Sequence, residues 1–412
     1  MKYKKALEFV HSIPKFRRPL GNANLRRLLE CLEAPQDKLN FIHIAGTNGK
    51  GSTAAMIASV LREQGYKTGL FTSPYIEKFN ERIQINNVCI SNETLSEYIW
   101  FVKDTMEKSD ALVSEFAFIT AVAMVYFANM KCDFVVLETG LGGKYDATNV
   151  IDESVISVIT SIGLDHTQYL GSTIEEIAEE KCGIIKKYGT VVSAPNTEAM
   201  QIIETNCRQK NAKLIVSGKS ERTKNGISYK NEEYPLNLKG EYQLINSAVA
   251  LEALFAMRDM GIEISSEAIK KGLKKVRWHA RFEFVRNNVV IDGAHNVDAM
   301  KALCRSLRSE YRNVIAVIAM MDDKNYEECI RELSKCARKI IVTELDMPRC
   351  VKAQTLAGVR GISCAVTAEA NVEKAIELAI HEANDGEFVC VCGSLYLAGE
   401  ARKFFSKNIL QN

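Results

Sequence analysis

Apolar and polar positions along this chain follow two periods in alternation. Short β-branched runs, FIHIAG (41–46), YKTGLFTS (66–73), DFVVLETG (133–140) and SVISVIT (154–160), mostly end in glycine or turn residues and read as buried strands. Between them lie KGSTAAMIASVLREQG (50–65), apolar at helical spacing and closed by a glycine, and the mostly apolar helix 114–130. This alternation predicts an α/β chain with a mostly parallel, doubly wound sheet, in which ligands sit at the carboxyl ends of strands. Between 225 and 239, GISYKNEEYPLNL predicts an antiparallel excursion, followed by helices over 241–260 and 265–276. The strand pattern then restarts at NVVIDGA (288–294), NVIAVIAM (313–320), KIIVTEL (339–345), ISCAVT (362–367) and EFVCVCG (387–393). Two domains are expected, a large one over 1–283 and a smaller Rossmann-like C-terminal α/β domain over 288–412, joined around WHARFEFVRNN.

A length of 412 residues suits two domains, and a net charge of +2 gives no field that would argue for nucleic acid or a membrane surface. No apolar run approaches the roughly 18 residues of a bilayer span, and the basic start lacks the apolar core of a secretory signal. The 12 cysteines are scattered without CxxC pairs, and the 6 histidines lack zinc spacing. Cysteines inside apolar strands, such as Cys132, Cys390 and Cys392, act as small hydrophobes, which points to a reducing, cytoplasmic setting.

Candidate chemistry starts at GTNGKGS (46–52), directly after a strand. Its glycines allow backbone N–H groups to turn inward, and the following helix offers its positive end to phosphate. Lys50 can reach the outer phosphates, and the hydroxyl of Ser52 or Thr53 can ligate Mg²⁺. The spacing departs from G-x-x-x-x-G-K-[ST], so the competing reading is a tight turn capped by Ser52. The large domain is therefore expected to be of P-loop type. Glu138 and Ser73 each end a strand at the same sheet edge, where a carboxylate after VVL suits a metal and alternatively caps a helix. His166 in GLDH is a ligand or a satisfied structural residue. Lys181 in EEKCG is either a functional amine or a surface lysine pairing with Glu179 or Glu180.

Seven blocks in order, GTNGKGS, TSPYIEKFNERI (72–83), ETGLGGKYDATNV (138–150), GLDHTQYLGSTIEEIAEEKCGIIK (163–186), W-x-x-R (278–281), DGAHN (292–296) and GSLYLAGEAR (393–402), resemble the folylpolyglutamate synthase and dihydrofolate synthase family of Mur-ligase-like enzymes. The resemblance implies an ATP- and Mg²⁺-dependent ligase, a monomer, that adds L-glutamate to a folate, or to dihydropteroate, through an acyl phosphate. By position it implies that Gly46, Thr47, Asn48, Gly49, Lys50, Gly51, Ser52, Asn246, Arg281 and Asp292 hold ATP between the domains. It makes Ser52, Ser73, Glu138 and His166 the metal ligands, Lys181 a carbamylated lysine, and His295 a residue at the γ-phosphate. Lys50, Lys181, His166 and His295 form the implied catalytic set. Ser114, Glu115, Phe116, Ala117, Tyr145, Asp146 and Ala147 match its dihydropteroate positions. Here the pattern departs, with Ala117 for a glutamate, Lys144 for arginine, Tyr145 for leucine and, elsewhere, Tyr242 for histidine. An enzyme that only extends existing folates fits these departures, and so does a ligase of the superfamily acting on another carboxylate. A nucleotide-dependent switch built on the same loop is the rival of another class, and it leaves EEKCG, GLDH and DGAHN without a role.

Overall fold

The computed structural model describes residues 2–15, 21–311 and 313–409, which gather into two compact units. Of these residues, the first unit takes those within 1–162, 170–237 and 245–276, and the second those within 163–169, 238–244 and 277–412. The segments 163–169 and 238–244 thus belong to the second unit, although strand and helix periodicity carries no mark of it.

The first unit holds an eight-stranded sheet of β1 (Phe41–Ala45), β2 (Thr68–Phe71), β3 (Ile83–Ile85), β4 (Val88–Cys89), β5 (Phe134–Glu138), β6 (Ile156–Ile159), β7 (Thr190–Ser193) and β8 (Lys213–Val216). Their order is β4-β3-β2-β5-β1-β6-β7-β8, parallel from β2 to β8 with an antiparallel edge at β3 and β4. Pairs Phe71↔Leu137, Ile44↔Glu138 and Ala45↔Ile159 bring the carboxyl ends of β2, β5, β1 and β6 into one row. That row lies where the strand order doubles back on both sides of β1, the place such sheets bind ligands. β9 (Glu221–Thr223), β10 (Gly226–Tyr229) and β11 (Glu232–Pro235) form the antiparallel excursion.

Helices Lys2–Ser12, Ala23–Cys31, Asn92–Ser109 and Glu115–Asn129 bury one apolar core of this unit. Glu115–Asn129 is apolar on every side because it is enclosed, with ten of its residues buried. Helix Lys50–Gln64 packs on helix Ser266–Lys275 at a point where only glycine fits. A Cβ on Gly272 would strike the Val60 backbone, and the Gly272 carbonyl accepts from Ser59 Oγ at 2.9 Å. Gly272→Ala should therefore destabilise the unit by about 1–3 kcal/mol through overpacking, read as a lower urea midpoint at unchanged slope.

The second unit holds β12 (Glu283–Arg286), β13 (Val289–Ile291), β14 (Val314–Ile318), β15 (Ala337–Val342), β16 (Ala365–Ala368) and β17 (Phe388–Cys392). Their order is β12-β13-β17-β14-β15-β16, all parallel except β12. β13 and β14 are fully buried, which their unbroken apolar runs require.

Candidate active site

The loop after β1 is tied down before its helix begins. Thr47 and Asn48 donate their backbone N–H groups to the Ser161 carbonyl beyond β6, at 2.8 and 3.2 Å. Those two amides anchor the loop and do not turn into it, contrary to the expectation for successive N–H groups. What the loop offers an anion is the start of helix Lys50–Gln64, where the helix dipole favours negative charge. Gly49 is its N-cap, at φ 90°, with the Asn246 amide lying where a Cβ would stand. The cap is Gly49 and not Ser52, which is 1% exposed inside the first turn.

Two lysines converge on one carbonyl. Lys50 Nζ donates to Gly46 O at 3.0 Å and to Thr47 O at 3.2 Å, and Lys181 Nζ donates to Gly46 O at 2.8 Å. Lys181 is 3% exposed at the end of helix Ile174–Cys182, so the surface-lysine reading fails. Its neighbour Glu179 instead accepts from Asn206 Nδ2 at 2.7 Å. Asn246, also buried, is no surface residue of its helix Tyr242–Asp259.

Glu138 closes β5 at 5% exposure and accepts the Ser73 N–H at 3.3 Å, so these two residues do meet at the sheet edge. Nearby in sequence, Thr53 Oγ1 and Thr139 Oγ1 are buried without hydrogen-bond partners among the described residues. A buried carboxylate, serine hydroxyls and such orphan oxygens are hard donors of the kind Mg²⁺ takes, one or two from protein and the rest from phosphate and water. Among the described residues no group of three or more His, Cys, Asp or Glu is arranged for a metal, which a site of that sparse kind does not need.

In the second unit, His166 and His295 gather round a residue the sequence reading passed over, Asp165. Its buried carboxylate takes Lys324 Nζ at 2.5 Å, Asn296 Nδ2 at 3.0 Å and His295 Nε2 at 3.4 Å. Burial pushes the Asp165 carboxyl up, but His295, Lys324 and His166 outweigh it and hold it far below the usual carboxylate range. Burial, together with Lys324, pulls the His166 imidazole down to about 4 against the opposing pull of Asp165. Lys324 Nζ lies 3.3 Å from His166 Nε2, and an ammonium can only donate, so His166 is neutral with its proton on Nδ1. The charged run MDDKN holding Lys324 has no spacing that ties it to GLDH.

The signs of these two shifts separate on acidification. The unfolded chain protonates His166 near its ordinary value of about 6.5 while the folded chain does not, so stability falls between that pH and about 4. Asp165 stabilises fully above the unfolded carboxyl value of about 3.9 and is lost only on going lower. Urea titrations across pH should show both limbs, with His166→Gln removing the upper one. Asp165→Asn should cost about 3–5 kcal/mol at neutral pH, because it strands the buried Lys324 ammonium.

Asp292 is neither a loose turn residue nor a free acceptor. Its Oδ2 takes the Tyr242 hydroxyl at 2.6 Å and the Phe282 N–H at 2.8 Å, and its Oδ1 takes the Ala294 N–H at 2.8 Å. Ala280 and Phe282 sit at φ 54° and 49°, left-handed values that side chains resist. Asp292 therefore clamps the turn that presents Arg281, whose guanidinium runs over Gly293 and donates to Ala280 O. Tyr242, standing where the family has histidine, works as the donor of this clamp, and burial with Asp292 raises its hydroxyl well above the ordinary value.

The remaining positions lie in the first unit. Ser114 caps helix Glu115–Asn129 by accepting from Ala117 N at 3.3 Å, and Glu115 faces His11 Nδ1 at 3.0 Å. Phe116 fills the space over Gly140, while Ala117 and Ala147 are buried and Tyr145 is half exposed beneath the Lys144 ammonium. The Asp146 carboxylate is spent on its own loop, accepting from Thr148 Oγ1 at 2.5 Å, Thr148 N at 3.0 Å and Leu141 N at 2.8 Å. His43, buried in β1, reaches the same Thr148 hydroxyl at 2.8 Å.

Comparison with known proteins decides the family. The Mur ligase middle domain matches residues 44–254, and the Mur ligase glutamate ligase domain matches 280–395. The dihydrofolate synthase/folylpolyglutamate synthase of Bacillus subtilis (strain 168) is 36% identical over 97% of this chain and 98% of that protein. The chain belongs to the folylpolyglutamate synthase/dihydrofolate synthase family of Mur ligases. Solved relatives in the family share its architecture over nearly their whole length. Escherichia coli FolC in complex with DHPP and ADP superposes with a TM-score of 0.89 at 27% identity, over 99% of this chain and 98% of that one. A bifunctional folylpolyglutamate synthase/dihydrofolate synthase of Yersinia pestis, complexed with AMPPNP and a Mn ion, gives 0.89 at 27% identity over 97% of each. The family is one of ATP-dependent acid–amino-acid ligases, and this chain is such an enzyme. Among the described residues no helix is long and apolar enough to cross a membrane.

Proposed function

We propose that the chain uses ATP to join L-glutamate to a folate carboxylate, with dihydropteroate as a second acceptor. The observation that carries this reading is the convergence of Lys50 and Lys181 on the Gly46 carbonyl, at the head of a helix and beside the Glu138 sheet edge. The folate acid attacks the γ-phosphorus of ATP, releasing ADP and leaving an acyl phosphate. The glutamate amine then adds to the acyl carbon, and the tetrahedral intermediate expels phosphate. Lys50 and the helix amides stabilise charge on the phosphoryl oxygens, and positioning supplies much of the rest. Asn246 steadies the Gly49 turn, and Asp292 with Tyr242 holds the turn of Arg281, whose fork suits phosphate. His295, fixed by Gly293 O at 2.9 Å, is taken as the residue at the γ-phosphate.

Ser52, Ser73, Glu138 and, once its Nε2 is released from Lys324, His166 are the residues that would hold Mg²⁺, which would offset the charge on the nucleotide's phosphates. A carbamate forms from a neutral amine and CO₂, and the buried setting of Lys181 against the loop supports that modification. The domain over 1–283 is read as the ATP-binding part and 288–412 as the ligase part. Twelve free cysteines support a reducing, cytoplasmic setting, and the working form is taken as the monomer. Full-length relatives named for folate chemistry leave the other-carboxylate reading without support.

The test is product mass spectrometry after incubation with ATP, Mg²⁺, glutamate and, separately, tetrahydrofolate, dihydropteroate and a peptidoglycan-type acid. Glutamyl addition to the pterin compounds alone is expected. Addition only to the peptidoglycan-type acid, or ATP hydrolysis indifferent to every acid, would refute the reading.

A further inference from the structure

Apart from the ligase chemistry, the second unit contains two thiols in closer contact than packing needs. Cys304, in helix Val297–Glu310, and Cys336, in the turn before β15, have their Sγ atoms 2.9 Å apart. Both are reduced in this structure, and a disulfide's S–S bond of about 2.05 Å lies a sub-ångström shift away. Their surroundings differ in the way a reactive pair requires. Cys304 is 4% exposed and also lies 3.4 Å from the Glu332 carbonyl, whereas Cys336 is partly open to solvent. Arg308, anchored by donating to the Lys335 carbonyl at 2.7 Å, places a guanidinium next to Cys336.

We propose that Cys304 and Cys336 form a redox modification site, a dithiol that a small disulfide of the oxidised-glutathione class converts to an intramolecular disulfide. Contact with the Cys304 thiol lowers the Cys336 pKa and the Arg308 charge adds to this, while the same contact and burial raise that of Cys304. Cys336 is thus the attacking thiolate. It displaces one thiolate from the small disulfide and becomes a mixed disulfide. Cys304 then gives up its proton, attacks the Cys336 sulfur and expels the second thiolate. Two protein thiols and one small disulfide become one protein disulfide and two small thiols, with no other oxidant needed. The bond would fasten the helix capped by Asn296, directly after His295, to the turn before β15. Cys390 and Cys392, close in sequence, are fully buried in β17 and offer no solvent-open thiol.

The experiment equilibrates the full-length protein with reduced and oxidised glutathione at graded ratios, quenches with acid and maps peptides by mass spectrometry. The expected product is a Cys304–Cys336 cross-linked peptide lighter by two hydrogens, reversed by dithiothreitol, at ratios where exposed Cys31 carries only a glutathione adduct. Cys304→Ser should trap the adduct on Cys336, and Cys336→Ser should give no cross-link and no adduct on Cys304. Full modification of Cys31 with Cys336 untouched in the parent protein would overturn the proposal. So would a Cys304→Ser protein, folded by its circular dichroism, that traps nothing on Cys336.

Discussion

Replacing Lys181 by alanine should abolish acid-dependent ATP turnover, with a loss of at least about a thousandfold, comparable to removing a key charge-stabilising group from an active site. Lys181 is 3% exposed and bonded to the Gly46 carbonyl, so no surface residue can take its place. The sign of its working charge can be read by chemical rescue. If the lysine acts as a carbamate, acetate or formate added to Lys181→Ala restores part of the rate, because a carboxylate replaces what was lost. If it acts as an ammonium, small alkylamines restore the rate and carboxylates do not. Lys181→Arg should stay inactive under the carbamate account, since a guanidinium neither deprotonates nor carries CO₂. Wild-type turnover in Lys181→Ala without additives would remove Lys181 from the mechanism.

Gly49→Ala should raise the dissociation constant for ATP by at least about a hundredfold, the equivalent of losing about 2.7 kcal/mol. Two costs combine at this position. The backbone sits at φ 90°, which an alanine resists by about 1–2 kcal/mol, and the new Cβ would run into the Asn246 amide oxygen. The turn must open, and with it the helix amides and the Lys50 ammonium lose their common aim. Gly65, at the other end of the same helix, provides the control. It has φ 105° but nothing within 4 Å of an added Cβ. Gly65→Ala should therefore cost about 1 kcal/mol of stability and leave ATP affinity unchanged. Equal affinity in both variants, measured by nucleotide titration, would mean that the Gly49 turn does not hold phosphate.

The strands and helices that carry the site were legible because their periods are long and their ends are punctuated. FIHIAG, DFVVLETG and the 50–65 helix with its closing glycine stand where the apolar pattern puts them. β3, β4 and β12 were not legible, since two to four residues at a sheet edge carry too little period. β7 and β8 are four-residue strands in a polar stretch, and parallel pairing at the sheet's far side decides them more than composition does. The site divides in the same way. The turn at Gly46 to Gly49 and the helix after it were readable from that loop alone, whereas the tie of Thr47 and Asn48 to Ser161 was not. Asp165 was not, because its partners come from 295–296 and 324, separated by well over a hundred residues. Nor was the clamp of Tyr242 on Asp292, where a phenol takes the place of an imidazole and only the fold shows what it touches. Lys181 lay between these cases, since the sequence left it free to pair with Glu179 or Glu180 and burial removed that choice.

An acyl phosphate is the central step of this chemistry, and isotope transfer tests it most directly. The folate substrate is prepared with heavy oxygen in its terminal carboxylate and incubated with the protein, ATP, Mg²⁺ and glutamate. The released inorganic phosphate is then weighed by mass spectrometry. If the carboxylate attacks the γ-phosphate and is later displaced by the amine, each new amide leaves one labelled oxygen in the phosphate. Phosphate without label, formed in step with the amide, would show that water and not the acid took the phosphoryl group, and would contradict the mechanism.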